Sequence, residues 1–99
     1  MAKRGQLTPT VQAAALRLLG REITSQEVET MPDVQKMIVF DLPFHEILLS
    51  SMDEAVIHQW RSYGYVEKIG ARLRCGRYFW DAMSELLWLA YADHENQPD

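Results

Sequence analysis

Two four-residue runs, Val66–Ile69 and Arg72–Cys75, flank the pair Gly70-Ala71, and no other feature constrains the fold as tightly. A two-residue turn with Gly first suits type II′, whose twist matches that of paired strands. The turn then dictates the register. Ile69 faces Arg72, Lys68 faces Leu73, Glu67 faces Arg74 and Val66 faces Cys75. Side chains alternate along a strand, so Val66, Leu73 and Cys75 are expected on the core face, with Glu67, Arg72 and Arg74 toward water.

Helix signals surround this hairpin. Thr8 and Pro9 read as N-cap and first helical residue. Val11, Ala14, Ala15, Leu18 and Leu19 come next at helical spacing, and Gly20 is the natural stop. The stretch "TSQE" from Thr24 is a capping box. Pro32 interrupts the helix that this box would start, so a short turn and then a helix from about Asp33 to Val39 are expected. Pro43 opens a short helix over 44–49 carrying Phe44, Ile47 and Leu48. "SMDE" from Ser51 reads as a second capping box, with Met52, Ala55, Val56, Trp60 and Tyr63 on one face and Gly64 at the stop. A last helix is expected from about Arg77 to Asp93, with a main stripe of Phe79, Ala82, Met83, Leu86, Leu87 and Ala90. Trp80, Trp88 and Tyr91 widen its apolar surface beyond that stripe, the mark of a central helix or of an oligomer contact.

Ninety-nine residues, 47% of them apolar and 24% charged, suit one domain with one core. The expected layout is a loose basic arm over 1–6, a globular domain over 7–93 and a frayed polar tail over 94–99. The single cysteine, Cys75, excludes an intramolecular disulfide and favours a reducing compartment. No apolar run has the length of a membrane span, and "MAKRGQLTPT" lacks the apolar stretch of a secretory signal. A cytosolic protein without a membrane partner is expected.

The net charge of −4 conceals alternating blocks. Lys3, Arg4, Arg17 and Arg21 come first without an acid, and an acidic stretch over 22–55 holds Lys36 as its one base. Arg61, Lys68, Arg72, Arg74 and Arg77 then face Glu67 alone, before an acidic tail. Such blocks can build a basic face that the whole-chain charge hides.

Catalysis has little support in the sequence. His45, His58 and His94 are scattered, and none has metal-ligand spacing with Cys75. Glu54 and His58 share a helix face, where such a pair is usually solvated. Gly64, Gly70 and Gly76 fall at turns and form no phosphate loop. A buried inert thiol is the common fate of a cysteine placed like Cys75. Neither enzymatic activity nor a cofactor is expected.

The order short helix, turn, capped helix, glycine, hairpin resembles a winged helix. Residues 44–49 would be its support helix, 52–63 its recognition helix and 65–75 its wing. The stretches "LLGREIT", "MPDVQKMIVFD", "WRSYGYVEK" and "FWDAMSELLWLAY" resemble small uncharacterised lambdoid-prophage proteins of enteric bacteria. That resemblance implies a prophage origin and no particular activity. The expected fold is mainly α with one small β-hairpin, a winged-helix-like single domain.

Two functions suit these features. In the first, a regulatory protein grips double-stranded DNA with Arg61, Lys68, Arg72, Arg74 and Arg77, assisted by Lys3 and Arg4. Asp53 and Glu54 at the start of the recognition helix oppose this, since carboxylates there repel phosphate. The same arginines can instead pair with Glu67, Asp81 and solvent. In the second, the chain is an adaptor or inhibitor of a host protein, or a homodimer, using Trp80, Trp88 and Tyr91. Trp60 and Phe79 are expected in the core.

Overall fold

Hydroxyl caps set the starts of the first three helices in the computed structural model, which describes residues 3–97. Helix α1 (Pro9–Leu19) starts on Thr8, whose Oγ1 accepts from the Val11 N–H, and Gly20 ends it at φ +74°. Helix α2 (Ser25–Val39) starts on the reciprocal capping box of Thr24 and Glu27. Helix α3 (Ser51–Ser62) also has a capping box, made by Ser50 and Asp53, one residue earlier than the expected Ser51 and Glu54. The buried face of α3 is Val56, Ile57 and Trp60, whereas Met52, Ala55 and Tyr63 of the expected face are exposed.

The hairpin has the expected register at all four pairs of β1 (Val66–Ile69) and β2 (Arg72–Cys75). Gly70 has φ +62° and Ala71 does not have a positive φ, as a type II′ turn requires. Val66 and Leu73 are buried, and Cys75 is half-buried. Helix α4 (Arg77–Leu87) buries Phe79, Ala82, Met83, Leu86 and Leu87, then widens into a π-helical turn over Trp88–Ala92. At the centre, Trp60 meets Phe79 edge to face at 5.1 Å, and Tyr65 stacks on Phe79 at 4.7 Å. Full burial of a side chain like Phe79 contributes about 1.5–3 kcal/mol. The chain is therefore mainly α with one small hairpin. Among the described residues, no helix is long and apolar enough to cross a membrane.

Pro32 does not divide α2, contrary to the expected turn and restart. A proline in mid-helix removes the N–H that would bond the carbonyl four residues earlier. That carbonyl belongs to Val28, and the Tyr91 hydroxyl donates to it at 2.9 Å. A side chain from the far end of the chain thus replaces the missing donor, and the helix runs through.

The expected support helix over 44–49 is one 3-10 turn, Phe44–Glu46. The Phe44 N–H donates to the Ala71 carbonyl at 2.8 Å, which staples the segment to the hairpin tip. Ile47 is already extended, and the chain then reaches Ser50, the cap of α3. Leu48 is left almost wholly exposed.

The stretches expected to be a loose arm and a frayed tail are tied down as far as they are described. The Gly5 N–H donates to the Ala90 carbonyl at 2.7 Å. Gly5 has φ +80°, and a Cβ there would lie 3.0 Å from the Tyr91 ring. Buried Gln97 accepts from the Thr8 hydroxyl at 2.6 Å and donates to the Leu89 carbonyl. Residues 1, 2, 98 and 99 of the expected arm and tail lie outside the described residues.

Tyr91→Phe should cost about 1–2 kcal/mol in chemical denaturation, because it strands the Val28 carbonyl. In a Pro32→Ala background the same change should cost clearly less, since the alanine N–H supplies an intrahelical donor. Equal costs in the two backgrounds would show that Tyr91 does not compensate for the proline.

Candidate functional site

Of the wing arginines, Arg72 is exposed as expected and Arg74 is half-buried, and both are already paired. Arg74 donates to the Asp41 carboxylate at 2.8 Å, and the Arg72 Nε lies 3.3 Å from the same oxygen. Arg72 also donates to the Asp41 carbonyl at 3.2 Å. The expected partner, Glu67, takes neither. Asp41 ends α2 in a Schellman motif: the Leu42 N–H bonds the Met37 carbonyl and the Asp41 N–H bonds that of Ile38. Asp41 itself stands at φ +54°, a position that favours glycine. Hydrogen bonding from Arg74, then the charges of both arginines, holds its carboxyl below the usual range. A strained C′ residue thus places a carboxylate against the wing.

The other cations differ in their surroundings. Arg77 pairs with Asp81 one helical turn on, at 3.5 Å, in line with the pairing alternative. The Lys68 ammonium sits 4.8 Å from the Phe44 ring centroid, on the same face of the hairpin as Leu73. Arg61 has no ion pair among the described residues and borders hollows on either side of the α3–β1 junction. Lys3 and Arg4 also lack an ion pair among the described residues, and both lie away from the wing, by the Gly5 contact with Ala90. Counted with the carboxylates beside them, Arg61, Lys68, Arg72, Arg74 and Arg77 face Asp41, Glu54, Glu67 and Asp81, five charges against four.

The two acids at the start of α3 have separate fates. Asp53 turns inward, accepting from the Thr30 hydroxyl at 2.7 Å and from Gln26 at 3.2 Å. Burial pushes its carboxyl up, but these bonds and those of Ser50 outweigh it and hold the group low. Glu54 stays exposed, beside Arg61, His58 and Lys68.

A different surface lies where α4 ends. Trp88 is 60% exposed and borders an open groove of about 580 Å³. Leu87, Tyr91, Ala92 and Pro32 line the groove, with Ser84, Gln35 and Arg4 as its polar groups. Two features of the sequence meet here: the proline inside α2 and the apolar surplus of the last helix. Burial raises the Tyr91 hydroxyl, with the charges of Glu29 and Asp33 adding to it and Arg4 opposing. Arg4 is the charged group among the residues that line the groove. Of the three expected interface aromatics, Trp88 and Tyr91 come together here, whereas Trp80 is half-buried against the core.

Among the described residues, no three His, Cys, Asp or Glu side chains form a metal-ligand cluster. Burial pushes the Cys75 thiol up, away from a reactive thiolate. The Nδ1 of His94 is buried without a hydrogen-bond partner among the described residues.

Compared with protein-family models, curated proteins and solved structures, the chain matches none.

Asp41→Gly removes both wing ion pairs and the strained φ together, whereas Asp41→Ala removes the pairs and keeps the strain. The glycine variant should melt above the alanine variant by calorimetry. The reverse order would mean that the C′ position is not strained.

Proposed function

We propose that the protein is a binding module without chemistry that docks a polypeptide partner on the groove beside Trp88. One observation carries this reading. A tryptophan at the surface, next to a groove floored by Leu87, Pro32 and the Tyr91 ring, combines a projecting anchor with a receiving site. Aromatic residues that lose water at a contact supply much of the energy of protein interfaces. The resemblance to prophage proteins makes the bacterial cytosol the proposed setting, and an adaptor or inhibitor the proposed role.

The test uses a displayed library of random peptides, selected on dilute wild-type protein. Selected peptides should bind Trp88→Ala at least tenfold more weakly, and bind Arg72→Glu/Arg74→Glu as well as wild type. Undiminished binding to the Trp88→Ala protein would exclude the groove as the docking site.

A second reading, regulatory nucleic-acid binding, is favoured by Arg61, which stands without an ion pair among the described residues, with Lys68 across the hollow. A surplus of one charge over this side limits the grip, because phosphate binding draws on uncompensated cations. Duplex DNA at low salt should then bind with a shallow salt dependence, corresponding to about two or three phosphates. Arg61→Glu/Lys68→Glu should abolish that binding, and its survival in this variant would end the second reading.

A further inference from the structure

We propose that the segment taken by the Trp88 groove is an apolar peptide carrying one carboxylate, which pairs with Arg4. The inference rests on reading the groove as a polypeptide-docking surface, and it names the chemistry of what docks there.

Charge is the first support. Among the described residues, those that line the groove hold one charged group, Arg4, and no carboxylate. Arg17, Arg21, Arg72, Arg74 and Arg77 each have a carboxylate of the chain itself. Arg4 is exposed and has no such partner among the described residues. The backbone holds it in place, because the adjoining Gly5 N–H donates to the Ala90 carbonyl at 2.7 Å. Gly5 also lies so close to the Tyr91 ring that a Cβ would come within 3.0 Å of it. A guanidinium offers a planar fork of donors that a carboxylate meets with two bonds. Gln35 and Ser84 add neutral polar groups to the same lining.

Shape is the second support. Pro32 and Gln35 come from α2, and the stretch from Ser84 to Ala92 comes from α4 and its π-helical turn. That stretch runs for about 12 Å at about 1.5 Å per residue, which matches about four residues of extended chain. Helical walls bond their own backbone groups, and the carbonyl that Pro32 leaves free is already taken by Tyr91. A partner therefore cannot add a strand here. Side chains must recognise it, with apolar groups against Leu87, Trp88 and Pro32 and a carboxylate at Arg4.

The acids of α2 limit how much charge the partner carries. Glu29 and Asp33 stand outside the lining, on the same helix as Pro32 and Gln35. An acid-rich tract laid across α2 would meet them. One carboxylate within an apolar run avoids that repulsion.

The test takes the peptides selected on wild-type protein and measures their affinities by fluorescence anisotropy. Their sequences should share an Asp or Glu within about four residues of a large apolar side chain. Arg4→Gln should weaken their binding about three- to tenfold. A peptide whose carboxylate is replaced by the matching amide should bind Arg4→Gln and wild type equally. Selection repeated on Arg4→Glu should return Lys or Arg where wild type returned the acid. Circular-dichroism melts check that each variant is folded. Peptides that require Trp88 but share a basic residue or no charge overturn the acidic partner and leave the docking groove standing. Undiminished binding of acidic peptides to Arg4→Gln has the same meaning. Peptides indifferent to Trp88→Ala overturn the docking groove and the acidic partner together, and so does a selection that returns no binder.

Discussion

The carboxylate of Glu27 is 1% exposed, and the packing of the chain is organised around it. It accepts from both terminal nitrogens of Arg21, from the Trp60 indole at 2.7 Å and from the Thr24 backbone N–H at 3.0 Å. Arg21 comes just after the end of α1, Glu27 and Thr24 open α2, and Trp60 lies on α3. One buried side chain therefore fixes three helices relative to one another. The Arg21 guanidinium also stacks 4.8 Å from the Tyr63 ring centroid, and its Nε donates to the Tyr65 hydroxyl at 3.0 Å, which extends the network to the entry of the hairpin. A buried carboxylate is costly unless it is paired and fully hydrogen-bonded, and here its donors come from three separate parts of the fold. Misplacing any of these elements leaves a charge or an indole N–H stranded.

Two lesser polar links complete the frame. The Gln12 amide bonds both backbone groups of Ile23, at 2.7 and 2.9 Å, and so closes the connection between α1 and α2. Thr30 and Gln26 hold Asp53 and thereby fix the start of α3 against α2. With the helices placed in this way, Pro32 faces Tyr91, and the groove beside Trp88 is a product of that meeting. The wing is set by another contact, since Asp41 at the end of α2 reaches Arg72 and Arg74. The hairpin is thus a braced element with paired arginines, while the open apolar surface lies at the end of α4.

Local signals were legible in the sequence wherever local chemistry decides the outcome. The hairpin register comes from the Gly-Ala turn and the alternation around it. Helix α1 comes from Thr8, Pro9 and Gly20, and the stripe of α4 from its spacing. Features decided by partners distant in sequence were not legible. Pro32 reads as a break until the Tyr91 hydroxyl, 63 residues from Val28 in sequence, is known to serve the Val28 carbonyl. The cap of α3 lies one residue earlier than expected, and its Asp53 also accepts from Thr30, 23 residues away in sequence. Asp41 reads as part of a break, and nothing local announces that it will hold both wing arginines. Glu27 was visible as a capping residue, yet its burial was not. The available hint was Trp60, a core tryptophan whose indole N–H needed an acceptor.

The most direct test of this account is the unfolding free energy of wild type and Glu27→Gln measured from pH 7 to pH 3. Burial alone would raise the Glu27 carboxyl, but the bonds from Arg21, Trp60 and Thr24 outweigh it and hold the group below its ordinary range. A carboxyl held low in the folded state contributes stability that is complete above its unfolded pKa, about 4.3. That contribution is lost as the pH falls through the lower folded value. Wild type should therefore exceed Glu27→Gln by about 3 kcal/mol at pH 7, and the gap should narrow steadily below about pH 4. Equal stability at pH 7, or two curves that stay parallel down to pH 3, would contradict the role assigned to Glu27.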